Sequence, residues 1–177
     1  SWGGPGRRVG APAAAVFRHW FGQIRVGNLG ISGDRTQHLL WRIENGTLDG
    51  ANPKVITILI GTNNIHHDPP ADIARGIEAV VKATREKAPE ALILLHPILA
   101  RGKTAADEGR RDVVLVNNQL GHLADIEGVE IIDLDAAFLH SDGTIREQLY
   151  SPDALHLSAA GYEAWVRTLA PRLRTAG

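Results

Sequence analysis

The sequence predicts an α/β domain of three layers, with a parallel sheet between two layers of helices. Three observations lead there. Apolar, β-branched runs alternate along the chain with amphipathic stretches, as in repeated strand–helix units. The run Val55-Ile-Thr-Ile-Leu-Ile60 lacks strict apolar–polar alternation, which suits a parallel strand covered on both faces. The length of 177 residues supports one such domain with a real core and is short for two. A single domain over residues 1–177 is therefore expected, with no internal repeat or linker.

The elements follow in order. Ser1 to Gly10 is too dense in glycine and proline for a regular element and reads as a loop. Ala11 to Phe21 reads as a short helix and Gln23 to Asn28 as a short strand. The strand leads into the turn Gly30-Ile-Ser-Gly-Asp34. Thr36 to Glu44 reads as a helix stopped by Asn45-Gly46. After the Val55–Ile60 strand, Pro70 to Lys87 places Ile73, Ile77, Val80, Val81 and Thr84 at helical spacing. Ala91 to Leu95 is the next strand. Asp107 to Leu123 reads as a helix carrying Val113, Val114, Val116 and Leu120, and Glu130 to Leu134 as a strand. Ser158 to Leu173 closes the chain as a helix with Ser158 at its N-cap.

Composition narrows the function. There are 19 basic and 20 acidic residues, so no electrostatic footprint for nucleic acid or an anionic membrane is expected. Cysteine is absent, which excludes disulfides, thiol catalysis and cysteine-ligated metals. No apolar run approaches the roughly 20 residues of a membrane-spanning helix. Compartment stays open: cytoplasmic, or secreted after removal of a signal preceding residue 1.

In such a fold, ligands bind beyond the C-terminal ends of the strands. Three stretches follow expected strand ends there: Asn28-Leu-Gly-Ile-Ser-Gly-Asp34, Gly61-Thr-Asn-Asn64, and the loop Ser151-Pro-Asp-Ala-Leu-His-Leu-Ser158. Asp153 lies three positions before His156 and can orient its imidazole for general-base work. Gly33 has no side chain to obstruct approach of its N–H to a developing oxyanion, and Asn63 offers an amide donor. Plain structural roles fit the same residues. Gly33 can be a turn glycine, Asn63 and Asn64 can cap backbone, and Asp153 and His156 can be ordinary loop residues.

The segment Asn28-Leu-Gly-Ile-Ser-Gly-Asp-Arg-Thr-Gln-His-Leu-Leu-Trp-Arg-Ile-Glu-Asn-Gly46 resembles the second block of the SGNH hydrolases, also called GDSL-like lipases and esterases. It is especially similar to the alpha-subunit type of platelet-activating factor acetylhydrolase. Gly61-Thr-Asn-Asn64 matches the third block and Asp153-Ala-Leu-His156 the fifth, and Phe138-Leu-His-Ser-Asp-Gly-Thr-Ile145 also resembles that subgroup. The resemblance covers residues 17 to 172 and implies a flavodoxin-like SGNH hydrolase fold. It implies His156 as base, Asp153 as its holder, and Gly33 and Asn63 as oxyanion-hole donors. The first block, Gly-Asp-Ser with its nucleophilic serine, is not in this sequence. The resemblance puts that serine upstream of Ser1, and with it a first strand between those at 23–28 and 55–60. Ser1 lacks the Gly-Asp frame, Ser32 belongs to the oxyanion loop, and Ser141, Ser151 and Ser158 lack a matching setting.

The function this implies is hydrolysis of small acyl esters, acetyl foremost, of a carbohydrate or a lipid, without a cofactor. The expected partner is a small-molecule ester, and the alpha-subunit resemblance is compatible with a homodimer. Were residues 1–177 the entire polypeptide, weak or absent esterase activity is expected. The alternative is a truncated or non-catalytic binding module of the same fold. No metal site is expected. His66-His-Asp68, His96, and His140 with Asp142 offer ligands, but adjacent histidines point apart and no metal motif appears. Asn45-Gly-Thr47 fits a glycosylation pattern but also serves as a helix stop. Trp41 and Arg42 are expected to pack and orient the oxyanion loop, and Arg101-Gly-Lys-Thr104 to form a mobile surface loop near the active edge.

Overall fold

Three parallel strands, β1 (Val55–Ile58), β2 (Leu92–Leu95) and β3 (Val129–Ile131), form a sheet in the order β1-β2-β3. Val55 pairs with Leu92, and Ile93 with Val129. The computed structural model describes residues 11–22 and 25–175. The loop expected over residues 1–10 lies outside them.

Successive side chains of a strand point to opposite faces, and here they feed two separate cores. Ile93 and Leu95 join one core with Ile58, Ile77, Val81 and Val116. That core is covered by α2 (Thr36–Glu44), α3 (Pro70–Lys87) and α4 (Arg110–Asn117). Leu92 and Leu94 face the other, with Phe138, Trp165 and Leu169. It is covered by α5 (Asp135–Phe138) and α6 (Ala159–Thr175). α1 (Ala11–Phe21) docks on α6, where Trp20 Nε1 donates to Glu163 at 2.9 Å. The result is the three-layer α/β/α arrangement expected from the strand composition.

α3 shows why the sequence folds this way. Pro70 occupies the first turn, where its missing N–H costs nothing. Ile73, Ala74, Ile77, Val80, Val81 and Thr84 are all buried. Each large aliphatic side chain taken from water contributes about 1.5–3 kcal/mol. At α6, Ser158 Oγ accepts the Gly161 N–H at 3.2 Å, so Ser158 is the N-cap. α2 stops at Asn45, followed by Gly46 at φ +95°, a left-handed conformation that favours glycine.

Several expectations need correction. Of the strand expected over 23–28, residues 25–28 belong to no regular element, and residues 23–24 lie outside the described residues. A strand needs a partner for its N–H and C=O groups, and among the described residues no strand pairs with the outer edge of β1. The helix expected over 107–123 is shorter. Asp107 uses its carboxylate on Thr104 N–H and Oγ1, and Gly109 turns left-handed at φ +78° before Arg110. At the other end, Asn117 spends its amide on both the N–H and C=O of Ile98 at 2.9 Å, and a separate 3-10 turn covers Gly121–Asp125. β1 and β3 are also shorter than their apolar runs, ending at Ile58 and Ile131.

Candidate active site

The loop between β3 and α6 carries Asp153 and His156, the expected acid–base pair. Tyr150 and Leu157 form an antiparallel bridge at its base, and Ser151 N–H donates to His156 O at 2.7 Å. Asp153 divides its carboxylate between two tasks. Oδ1 accepts the backbone N–H groups of Leu155 and His156, each at 3.0 Å, while Oδ2 lies 2.6 Å from His156 Nδ1. Backbone thus fixes the carboxylate, and the carboxylate fixes the ring. Burial pushes the Asp153 carboxyl upward. The hydrogen bonds from the His156 ring and from the two N–H groups outweigh it and hold the carboxyl below its ordinary range. A proton on Nδ1 facing a carboxylate leaves Nε2 as the acceptor of the neutral ring. The His156 side chain is 66% exposed, so Nε2 is open to an incoming hydroxyl. Among the described residues no hydroxyl contacts it: Ser158 caps α6, and Ser151 Oγ lies 3.5 Å from Leu157 O.

The two expected oxyanion donors, Gly33 and Asn63, lie on two joined loops. Asn63, in the loop after β1, donates from Nδ2 to the backbone carbonyl of Asp34 at 2.9 Å. Gly33, the residue before, has φ +86°, and a Cβ there would meet no atom within 4 Å. Both sequence-predicted donors therefore share one place, and Gly33 is required by backbone conformation and not by crowding. Arg42 grips this loop at both ends, with Nη1 on Leu29 O at 3.0 Å and Nη2 on the Asp34 carboxylate. Trp41 does not share that task. It is 63% exposed and, with Ile31 and His38, lines an open depression of about 430 Å³ beside Asp34.

Three further residues support these loops, of which Arg110 alone carries no role in the sequence analysis. Asn64 is buried; its Oδ1 accepts the Thr36 N–H at 3.0 Å, and its Nδ2 donates to Asp68 at 2.8 Å. Of the neighbouring asparagines, Asn64 thus caps α2, as the structural alternative proposed, while Asn63 faces the Gly33 loop. Arg101 Nη1 donates to Thr62 O at 3.0 Å, and Gly102 N–H to Ala154 O at 2.9 Å. Arg101 and Gly102 are therefore tied down, contrary to a mobile loop; Lys103 and Thr104 are exposed. Arg110 holds them from beneath. An Arg–Arg pair gives no sequence signal of which member is buried.

His96, weighed above as a metal ligand, is a buried core residue. Trp165 Nε1 donates to its Nε2 at 3.3 Å, and its Nδ1 faces Ile132 O at 3.3 Å. Desolvation lowers its pKa to about 4.

A parallel α/β/α sandwich with an Asp–His contact in the loop past its last strand, and a glycine turn bonded to an asparagine after its first, defines the class of fold. Within that class, the profile of the GDSL-like lipase/acylhydrolase family matches residues 1–164, and the chain belongs to this family. It is 38% identical over 149 residues to platelet-activating factor acetylhydrolase IB subunit alpha2 of Homo sapiens, covering 83% of this chain and 63% of that protein. The chain thus spans less than two thirds of that relative's length. The structure resembles a GDSL-like lipase from Bacteroides thetaiotaomicron at TM-score 0.76 and 14% identity, over 93% of this chain and 83% of the other. It also resembles an acetyl xylan esterase at TM-score 0.73 and 21% identity, over 91% and 89%. These two likenesses establish the fold.

Proposed function

We propose that this chain carries the base and the oxyanion donors of a serine esterase acting on small acyl esters, with acetyl as the preferred acyl group. The observation that carries the reading is the 2.6 Å contact between His156 Nδ1 and Asp153 Oδ2, which leaves Nε2 free and outward.

The chemistry follows from that geometry. His156 Nε2 takes the proton of a serine hydroxyl as it attacks the ester carbonyl, and Asp153 stabilises the imidazolium that forms. Negative charge on the carbonyl oxygen is met by the Gly33 N–H and the Asn63 amide. Asn63 suits this because Asp34 O takes one of its two amide hydrogens and orients the other. His156 then returns the proton to the leaving alcohol, and water releases the acid by the reverse sequence. On the family pattern, the attacking serine belongs to a Gly-Asp-Ser segment N-terminal to residue 1. The acetyl preference rests on the two relatives whose names share that group, one an acetylhydrolase and one an acetyl xylan esterase.

The test is hydrolysis of p-nitrophenyl acetate and longer acyl homologues by the intact gene product and by His156→Ala. Turnover falling with chain length, and abolished in His156→Ala, is expected. Absence of turnover on every ester would favour the non-catalytic binding module.

A further inference from the structure

Arg110 is only 4% exposed, although it stands in the first turn of α4, next to the site. A buried guanidinium is tolerable when each of its nitrogens finds an acceptor. Here Nε donates to Arg101 O at 2.9 Å, Nη2 to Gly102 O at 2.8 Å and Nη1 to Gly143 O at 2.9 Å. All three acceptors are backbone carbonyls, so the fork pins chain segments together.

Two of the pinned residues reach in opposite directions. The Arg101 side chain holds the carbonyl of Thr62, immediately before Asn63. The Gly102 N–H holds the carbonyl of Ala154, immediately after Asp153. The strap also demands its glycine. Gly102 has φ +75°, and a Cβ there would sit 2.4 Å from Asp107 Cβ. The oxyanion side and the base side are thus joined through two residues held by one buried cation.

We propose that Arg110 is a positioning residue: through the Arg101–Gly102 strap it sets where His156 stands relative to Asn63. The proposal rests on the esterase reading of that site. Lysine cannot substitute, because a single ammonium does not reproduce a planar fork spread over three carbonyls. Displacement of a catalytic group by about 1 Å costs on the order of 100-fold in rate.

The test compares Arg110→Lys, Arg101→Met and Arg85→Lys in the intact protein. Arg85 is the control. It also clamps three carbonyls, Ala88 O at 3.2 Å, Pro89 O at 2.8 Å and Gly128 O at 2.7 Å, but at the opposite end of the strands. Arg110→Lys is expected to lower kcat on p-nitrophenyl acetate at least about tenfold with KM within about twofold. It should also shift or broaden the downfield Nδ1–H proton resonance of His156. Arg85→Lys should lower Tm and leave kcat and the resonance unchanged. An Arg110→Lys protein with reduced Tm but wild-type kcat and resonance would overturn the proposal. Should Arg110→Lys fail to fold, Arg101→Met decides: a several-fold loss of kcat supports the strap and an unchanged kcat overturns it. Should the wild-type protein hydrolyse no ester, the esterase reading fails separately. The resonance alone then decides, and its persistence unaltered in Arg110→Lys overturns the positioning role.

Discussion

The side-chain amide of Asn63 donates to the backbone carbonyl of Asp34 across 2.9 Å, joining the loop after β1 to the loop that opens α2. One hydrogen of the amide is committed to the protein and the other is oriented by that commitment. Gly33 lies one residue before the acceptor, so a single bond sets the relation between both proposed donors.

Asn63→Ala should therefore lower kcat by about 100- to 1,000-fold, the usual effect of losing one oxyanion donor. KM should change little, since the charge it meets develops only in the transition state. Steady-state kinetics on p-nitrophenyl acetate checks this; a change confined to KM would place Asn63 in substrate binding.

Asp153→Asn should keep the loop fold but lose the tautomer that leaves Nε2 free, with kcat down by several orders of magnitude, about 10⁴-fold in the serine-protease analogue. Its effect on folding should depend on pH in a stated direction. The folded carboxyl lies below its ordinary value, so its stabilisation is present above the unfolded pKa and disappears as pH falls through the folded one. The carboxylate is half exposed, and solvent screening keeps that contribution small. Comparing wild type and Asp153→Asn by urea unfolding at successive acid pH values measures it.

Gly76→Ala tests the contact beneath the donor loop. In an exposed helix interior, Gly→Ala stabilises by up to about 1 kcal/mol. At this position a Cβ would lie 2.5 Å from Thr36 Oγ1 and 2.8 Å from Thr36 Cβ. Thr36 is buried, and its N–H is held by Asn64, so α2 itself must move. The clash wins, and a net loss of about 1–3 kcal/mol is expected by thermal unfolding.

His96 gives the fold an acid sensitivity of its own. The ring is buried, and its pKa falls from 6.5 unfolded to about 4 folded. Between these values the unfolded state binds a proton that the folded state refuses, so stability falls as pH drops from about 6.5 to about 4. The full loss corresponds to about 3 kcal/mol. Urea unfolding across this range should show that slope in wild type and lack it in His96→Gln. Equal slopes in both would assign the acid sensitivity to other groups.

How much could be read from the chain differs by residue. α3 was legible because its burial stripe is long and periodic, and Gly33, Asn63, Asp153 and His156 stood out by type and spacing. Residues 25–28 depart from the expected strand because a β-like hexapeptide cannot specify a pairing partner. The helix over 107–123 was overextended because apolar spacing at Val113, Val116 and Leu120 says nothing about Asn117 turning its amide to Ile98. Arg110 was invisible for a related reason: its role depends on carbonyls 8, 9 and 33 positions away, which only the fold brings together.

The central claim is that His156, held by Asp153, activates a serine. Labelling of the intact gene product with a fluorophosphonate, followed by peptide mass spectrometry, tests it most directly. The account predicts one adduct, on a serine N-terminal to residue 1, formed in wild type and lost in His156→Ala. Labelling that persists in His156→Ala, or an active protein that takes no adduct, would contradict it.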